Sequence, residues 1–321
     1  AGMTLKTPHA AWDEKGELPH KKILFIMQQT ASREIIELVQ RFPGFEYEVV
    51  LTANEHSIGA DDIYSNPIAG LSTADKLQEL DAKLAKDYDL VVMANVDFAV
   101  LPDEQKFRLM SMVRNGTGLV RIQSGEPWSE LKKLPYKKPY AQPLPRPEWV
   151  AGSNSLPGTR PKNFESRIFN AWQFGNGRIV EVDYGAGYRP GVGLTPYFNY
   201  TTDWFFLYET SQAFLAQVLY YASGIELPAF SVRQDNGQFA VTSPEKTVAE
   251  GRIRQPDNSV IRNSLDFTNL PAGRYAADVL VRRDGALVNF GAFPFTVESS
   301  FGAVSVCLLY TSDAADELDG V

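Results

Sequence analysis

Cysteine is all but missing from this sequence, histidine is scarce, and basic residues are outnumbered. Among 321 residues there is one cysteine, Cys307, and three histidines, His9, His20 and His56. Without Cys307 the chain has no thiol for a nucleophile, a disulfide framework or a thiolate metal site. No histidine follows His56, so imidazole chemistry in the body of the chain rests on that residue. The formal charge is −8, with 31 Lys and Arg against 39 Asp and Glu. No basic stripe with interleaved aromatics occurs either, and both facts argue against a nucleic-acid partner. No run of about 20 apolar residues is present to span a membrane, and no N-terminal signal-peptide pattern is seen. What remains is 44% hydrophobic and 22% charged, an ordinary globular composition, with length for about two domains.

Strand and helix patterns alternate from residue 21 onward. Residues 1–20, with Pro8, Gly16 and Pro19 and no period, read as a lead-in or linker in which His9 and His20 are solvated. Lys22–Met27 is a short apolar run of the kind covered on both faces. Ser32 is a candidate cap for a helix whose Ile35, Ile36, Leu38, Val39 and Phe42 repeat at helical spacing, and Pro43-Gly44 ends it. Glu46–Thr52 is the next strand, Ser72–Asp87 a helix on Leu77, Leu80 and Leu84, and Asp89–Val96 a third strand. Pro102 and Gly116 frame another helix, and Gly118–Ser124 is a fourth strand. This order predicts βαβ units and a parallel sheet with helices on both faces.

The eight prolines of residues 126–163 disfavour regular structure there. Arg167–Phe174 and Arg178–Tyr184 then flank Asn176-Gly177, a dipeptide suited to a type I′ hairpin turn. Asp203 to Gly224 bounds a helix that is apolar on most of its circumference and is therefore expected to be buried. From Pro228 the pattern changes to short alternating segments, Ala229–Arg233, Gln238–Thr242, Val248–Arg254, Ser264–Phe267, Gly273–Arg282 and Ala286–Val297. Asp235-Asn-Gly237, Pro256-Asp257 and Asp284-Gly285 punctuate them. A small all-β sandwich is predicted.

The segment Tyr88-Asp-Leu-Val-Val-Met-Ala-Asn-Val-Asp97, the helix Leu101–Val113 and Arg114-Asn-Gly-Thr-Gly-Leu-Val120 resemble the class I glutamine amidotransferase-like fold. The closer resemblance is to its non-classical branch, found in trehalose-utilisation-type proteins and in the middle domain of beta-galactosidases. Gly175-Asn-Gly-Arg-Ile-Val-Glu-Val182 and the helix Asp203–Gly224 are similar to this branch as well. The resemblance covers roughly residues 21–225 and implies a flavodoxin-like α/β sheet. Residues 226–300 resemble the immunoglobulin-like modules that accompany carbohydrate-active enzymes. Such arrangements imply a glycoside hydrolase-type catalytic domain elsewhere in the same chain, and a secreted or periplasmic location.

A glutaminase of this family needs a cysteine at the strand-to-helix elbow and a later histidine and glutamate to move the proton. Here the elbow position holds Gln123-Ser124-Gly125, with no cysteine and no later histidine. Ser124 with His56 as its base is the remaining nucleophilic arrangement, without the Gly-x-Ser-x-Gly elbow that usually carries such a serine. Its bland counterpart is a small residue ending a strand. His56 with Glu55, Asp61 and Asp62 is a candidate metal cluster without diagnostic spacing, beside the plainer reading of a solvated acidic loop. No metal and no cofactor is implied. The polar side chains expected at the carboxyl edge of the sheet are Gln28, Gln29, Thr30, Asn54, Glu55, His56, Asn95, Asp97, Gln123, Ser124, Glu126 and Trp128. Amide, carboxylate and indole groups together suit a carbohydrate ligand. Tyr184, Tyr188, Tyr197, Tyr200, Trp204 and Tyr208 are expected to pack rather than to form a sugar platform.

Cys307 lies in Val306-Cys-Leu-Leu-Tyr-Thr-Ser-Asp-Ala-Ala-Asp-Glu317, which resembles the translation of a transposase-type sequencing adapter. Roughly residues 307–321 are on this reading foreign to the natural protein, which is expected to continue past residue 306. Removing Asp313, Asp316, Glu317 and Asp319 leaves 35 acidic residues against 31 basic, a charge of −4 and no cysteine. The expected function is a non-catalytic scaffold belonging to a larger carbohydrate-active protein, with homo-oligomerisation as one of its roles. A hydrolase or isomerase using Ser124 and His56, and a carbohydrate-binding module, are the alternatives.

Overall fold

Two eight-residue strands, β1 (Lys21–Gln28) and β2 (Phe45–Thr52), lie parallel in strict register from Lys21 against Phe45 to Gln28 against Thr52. Around them a computed structural model describes residues 9–10, 12–60, 72–122, 141–145, 169–184, 193–195, 204–243 and 245–298. Helix α1 (Arg33–Arg41) joins the pair, and α2 (Thr73–Leu84) follows β2. β3 (Leu90–Ala94), α3 (Asp103–Asn115) and β4 (Gly118–Ile122) complete the next crossover. β5 (Ala141–Pro143), β6 (Phe169–Phe174), β7 (Gly177–Val182) and the long helix α4 (Trp204–Ala222) end the α/β unit. The sheet order is β2-β1-β3-β4-β7-β6-β5, the first five strands parallel and the last two antiparallel. The parallel part has the flavodoxin-type order.

The predicted parallel sheet with helices on both faces is thus observed. Strands β1, β3 and β4 are buried on both sides, which is why they read as continuous apolar runs. Ile35 and Leu38 of α1 and Phe214, Leu215, Val218 and Leu219 of α4 fill one face. Leu80 and Leu84 of α2 with Leu109, Met110 and Val113 of α3 fill the other. Ser72 caps α2 by accepting a hydrogen bond from the Asp75 amide.

The hairpin departs from expectation in its turn. Phe174 pairs with Gly177, so the loop is Gly175-Asn176 rather than Asn176-Gly177. Only Gly175 has positive φ, at 60°, which is the pattern of a type II′ turn. Gly177 is instead required by close approach: a Cβ there would lie 2.2 Å from the Val113 carbonyl oxygen. Gly118, at the start of β4, is under the same constraint, its Cβ falling 2.3 Å from the Ala222 carbonyl oxygen at the end of α4. Gly118→Ala therefore forces β4 and α4 apart and is expected to cost about 1–3 kcal/mol. A urea midpoint within error of the parent would show that this approach has slack.

After Pro228 the chain is all antiparallel. β8 (Ser231–Asp235) and β9 (Gln238–Thr242) form a hairpin. β10 (Thr247–Arg254), β11 (Val260–Arg262), β12 (Gly273–Arg283) and β13 (Ala286–Val297) form a sheet of order β11-β10-β12-β13. Asn236 and Gly237, and Asp284 and Gly285, all have positive φ, as the two Asx-Gly turns predicted. The expected strand Ser264–Phe267 is reduced to a single bridge, Asp266 to Gln238, because Asp266 accepts from the Thr268 amide and hydroxyl and bends the chain. β11 takes the edge instead. Phe239, Phe267, Tyr275 and Phe295 build a core between the hairpin and one face of the sheet.

The other face of that sheet is turned toward the α/β unit. Leu287, Phe290 and Ala292 of β13 enter the same apolar core as α1 and α4. Gln217 of α4 donates to the Asn289 side chain (3.1 Å) and the Phe290 carbonyl (2.8 Å). Beside this lies a buried charge network. Glu209 of α4, 1% exposed, accepts from Arg41 of α1, from Trp12 Nε1 (3.3 Å) and from Asn258 (3.5 Å). Asn258 Oδ1 in turn accepts from Arg254, whose fork grips Asp278 at 2.6 and 2.7 Å. Burial pulls both arginines down, but Glu209 beside Arg41 and Asp278 beside Arg254 outweigh it and hold both above the usual value. The stretch 12–20 forms no periodic element, yet Trp12 and Leu18 are buried. The indole lies beside the Phe290 ring and under the guanidinium groups of Arg252 and Arg254.

Candidate functional site

In a doubly wound sheet the carboxyl ends of the two strands at which the order reverses leave a crevice. Here those strands are β1 and β3. β1 ends at Gln28 and β3 at Ala94, after which the chain continues through Asn95 to Asp97. The Gln28 amide, 8% exposed, donates to the Asn95 carbonyl at 3.1 Å and ties the two strand ends together. Asn95 has φ of 50°, a left-handed conformation that asparagine tolerates better than most residues. Its backbone amide donates to the Ile122 carbonyl at 2.8 Å, so it also clasps β4. Its side chain is 5% exposed, and the Nδ2 group is buried without an acceptor.

Asp97 turns the chain. Its carboxylate accepts from the Ala99 amide and caps a short 3-10 turn, while its own amide donates to the Glu55 carbonyl at 2.8 Å. Gln28, Asn95, Asp97 and the Glu55 backbone thus form one hydrogen-bonded rim. Asn54 and His56 lie farther out. Asn54 is exposed, and its side-chain oxygen accepts from the His56 amide. The His56 ring is 75% exposed, and its Nε2 lies 3.1 Å from Glu55. Gln123, Ser124, Glu126 and Trp128 lie outside the described residues, as do Asp61 and Asp62. Gln29 sits in the 3-10 turn after β1. No group of three or more His, Cys, Asp or Glu able to hold a metal occurs among the described residues, and no helix there is long and apolar enough to cross a membrane.

One charged pair beside this rim was not singled out from the sequence. Arg121 of β4, 2% exposed, donates to Glu181 of β7 at 2.7 Å, the two standing opposite each other in the parallel register. The guanidinium lies 5.5 Å from the centre of the Phe98 ring in the 3-10 turn. The signal was available: a lone arginine in an otherwise apolar central strand must bring its own counter-charge. Of the aromatic residues of 184–208, Trp204 begins α4, and Tyr184 and Tyr208 are packed in the interior. The Tyr184 hydroxyl donates to the Leu194 carbonyl at 2.9 Å. Burial pushes both phenols far above their ordinary value.

With this geometry in view, comparison with family models, with curated proteins and with solved structures gives no match. The function is therefore argued from the site. In its described part the rim offers the Gln28 amide and the Asp97 carboxylate, each fixed by a main-chain hydrogen bond, and the Asn95 amide. That chemistry can grip a polar ligand. The one imidazole nearby is paired with Glu55 at the surface.

Proposed function

We propose that the chain is a non-catalytic, amidotransferase-like scaffold joined to an immunoglobulin-like module. Residues 21–225 and 226–300 form its two parts, and it is an accessory to a larger carbohydrate-active protein whose catalytic domain is of the glycoside hydrolase type. The observation that carries this reading is where the chain invests its buried charge. Arg41, Glu209, Arg254 and Asp278 are at most 2% exposed and sit at the junction between the two parts. His56, the only histidine near the carboxyl edge, is left in solvent. Fixing the mutual placement of two parts is what positioning a catalytic domain, or pairing with a second copy, requires.

The expected outcome is no turnover of aryl glycosides, carboxyl esters or glutamine by the purified chain. Turnover that disappears in both Ser124→Ala and His56→Ala would overturn the scaffold reading in favour of a hydrolase or isomerase. A carbohydrate-binding role is favoured by one observation, the buried Asn95 Nδ2 without an acceptor. Sugar-induced shifts of the Gln28 and Asn95 side-chain amide resonances, measured on the same sample, would establish that role.

A further inference from the structure

Three Asn-Gly pairs occur in the sequence, at Asn115, Asn176 and Asn236. An asparagine followed by glycine can be attacked by its own backbone. The glycine nitrogen reaches the asparagine side-chain carbon because glycine carries no Cβ to shield it. The reaction needs an accessible asparagine and a glycine N–H that is not held elsewhere. All three asparagines are exposed, so the glycine nitrogens decide.

Two of those nitrogens are held. Gly116 ends α3, and its N–H donates to the Val113 carbonyl at 3.0 Å. Gly177 stands opposite Phe174 and closes the β6–β7 hairpin, the position whose N–H bonds back across a two-residue turn. The Asn176 N–H is bonded as well, to the Arg114 carbonyl at 2.9 Å. Gly177 is also wedged against α3, where a Cβ would lie 2.2 Å from the Val113 carbonyl oxygen.

Asn236-Gly237 is placed one position differently. The closing pair of the β8–β9 hairpin is Asp235 with Gln238, so Gly237 is the second residue of the turn itself. With φ of 43° and 83° the two residues form a type I′ turn, and the N–H of its second residue points away from the ladder. Among the described residues no hydrogen bond engages the Gly237 N–H, the Asn236 carbonyl or the Asn236 side chain.

We propose that Asn236-Gly237 is a site of spontaneous modification, closing to a cyclic imide and reopening as an aspartyl or isoaspartyl residue, with water as the co-reactant. The Gly237 nitrogen attacks Asn236 Cγ. The N–Cγ bond forms, the Cγ–Nδ2 bond breaks, and ammonia leaves carrying the Gly237 amide proton. Water then opens one of the two imide carbonyls. Opening at Cγ gives an aspartyl residue in an unchanged backbone. Opening at the backbone carbonyl leaves the chain running through the side chain, one carbon longer. Either product adds a negative charge beside Asp235, but only the second lengthens the turn. The turn has little room for it: a Cβ on Gly237 would lie 2.4 Å from Thr268 Cγ2, and the Gly237 carbonyl accepts from the Phe267 N–H at 2.8 Å. The isoaspartyl form therefore strains the bond that seats Phe267 against Phe239. The inference does not rest on the scaffold reading.

The experiment is peptide mapping by mass spectrometry of the full chain held at mildly alkaline pH, once folded and once unfolded in urea. Having to release a backbone hydrogen bond slows a reaction about fivefold. In the folded chain Asn236 is therefore expected to convert at least about fivefold faster than Asn115 or Asn176, and in urea the three rates are expected to converge. Enzymatic methylation specific for isoaspartyl groups is expected to label the Asn236 peptide first. A folded-state rate at Asn236 no higher than at Asn115 or Asn176 overturns the proposal. A lead of the same size in urea overturns it too, because the local sequence and not the turn would then set the rate.

Discussion

Replacing Glu209 by alanine is expected to destabilise the chain by about 3–5 kcal/mol, the range for removing one partner of a buried ion pair. Among the described residues Glu209 is the carboxylate that Arg41 meets on another element, since its other partner, Glu37, lies one turn away on the same helix. Without Glu209 the Arg41 guanidinium stays 2% exposed and half-compensated, and the Trp12 and Asn258 donors lose their acceptor. Each orphaned buried donor adds its own desolvation cost. A change of this size corresponds to a drop of roughly 10 °C in unfolding temperature for a chain of this size. Differential scanning calorimetry of Glu209→Ala against the parent reads it directly. A loss below about 1 kcal/mol would mean that water or rearrangement satisfies the junction. The proposal that the two parts are held in fixed relation would then lose its support.

The elements of this fold were legible wherever burial imposes a period. The continuous apolar runs of β1, β3 and β4, the helical repeat of α1 to α3, and the apolar circumference of α4 each reported how many sides of the element are covered. Register and turn type were less legible. The hairpin before β7 turns at Gly175 because Gly177 is committed to lying against α3. Nothing local in Asn176-Gly177 distinguishes a turn glycine from a packing glycine. β5 and β11, three residues each, are too short for any period, and β5 ends in a proline tolerated only at a sheet edge.

The junction was the least legible part, and for a physical reason. Alternation in β10 and β12 puts Arg252, Arg254 and Asp278 on one face, and an alternating polar face normally means water. In this molecule that face meets α4 and Trp12, so the same residues are buried ion pairs. The clue lay on the partner: Glu209, Thr210, Ser211, Gln212 and Gln217 are polar residues in a helix whose remaining positions are apolar, and buried polar groups need partners. At the crevice, Gln28, Asn95 and Asp97 were expected at the carboxyl edge from their place at strand ends, and they stand there. That Asn54 and His56 face solvent depends on the path of the loop after β2, which no periodicity constrains.

Trp12→Ala is expected to have the second-largest effect, about 3–5 kcal/mol, the range for deleting a large buried aromatic side chain. The indole is 2% exposed and touches three parts of the molecule: Glu209 on α4, Phe290 on β13, and the guanidinium groups of Arg252 and Arg254 on β10. Trp12→Phe separates the contributions. A phenyl ring keeps most of the apolar burial and a face for the arginines, but leaves Glu209 one donor short, so its cost should be about 1–2 kcal/mol. Urea unfolding of the two variants gives the comparison. A linker residue would show neither loss, with both variants within about 0.5 kcal/mol of the parent as for ordinary surface positions. The predicted order, alanine well below phenylalanine and phenylalanine below the parent, belongs to a wedge. In that case the residues ahead of β1 act as the third side of the junction, and truncating them would loosen the β-sheet unit from α4 although neither unit has been altered.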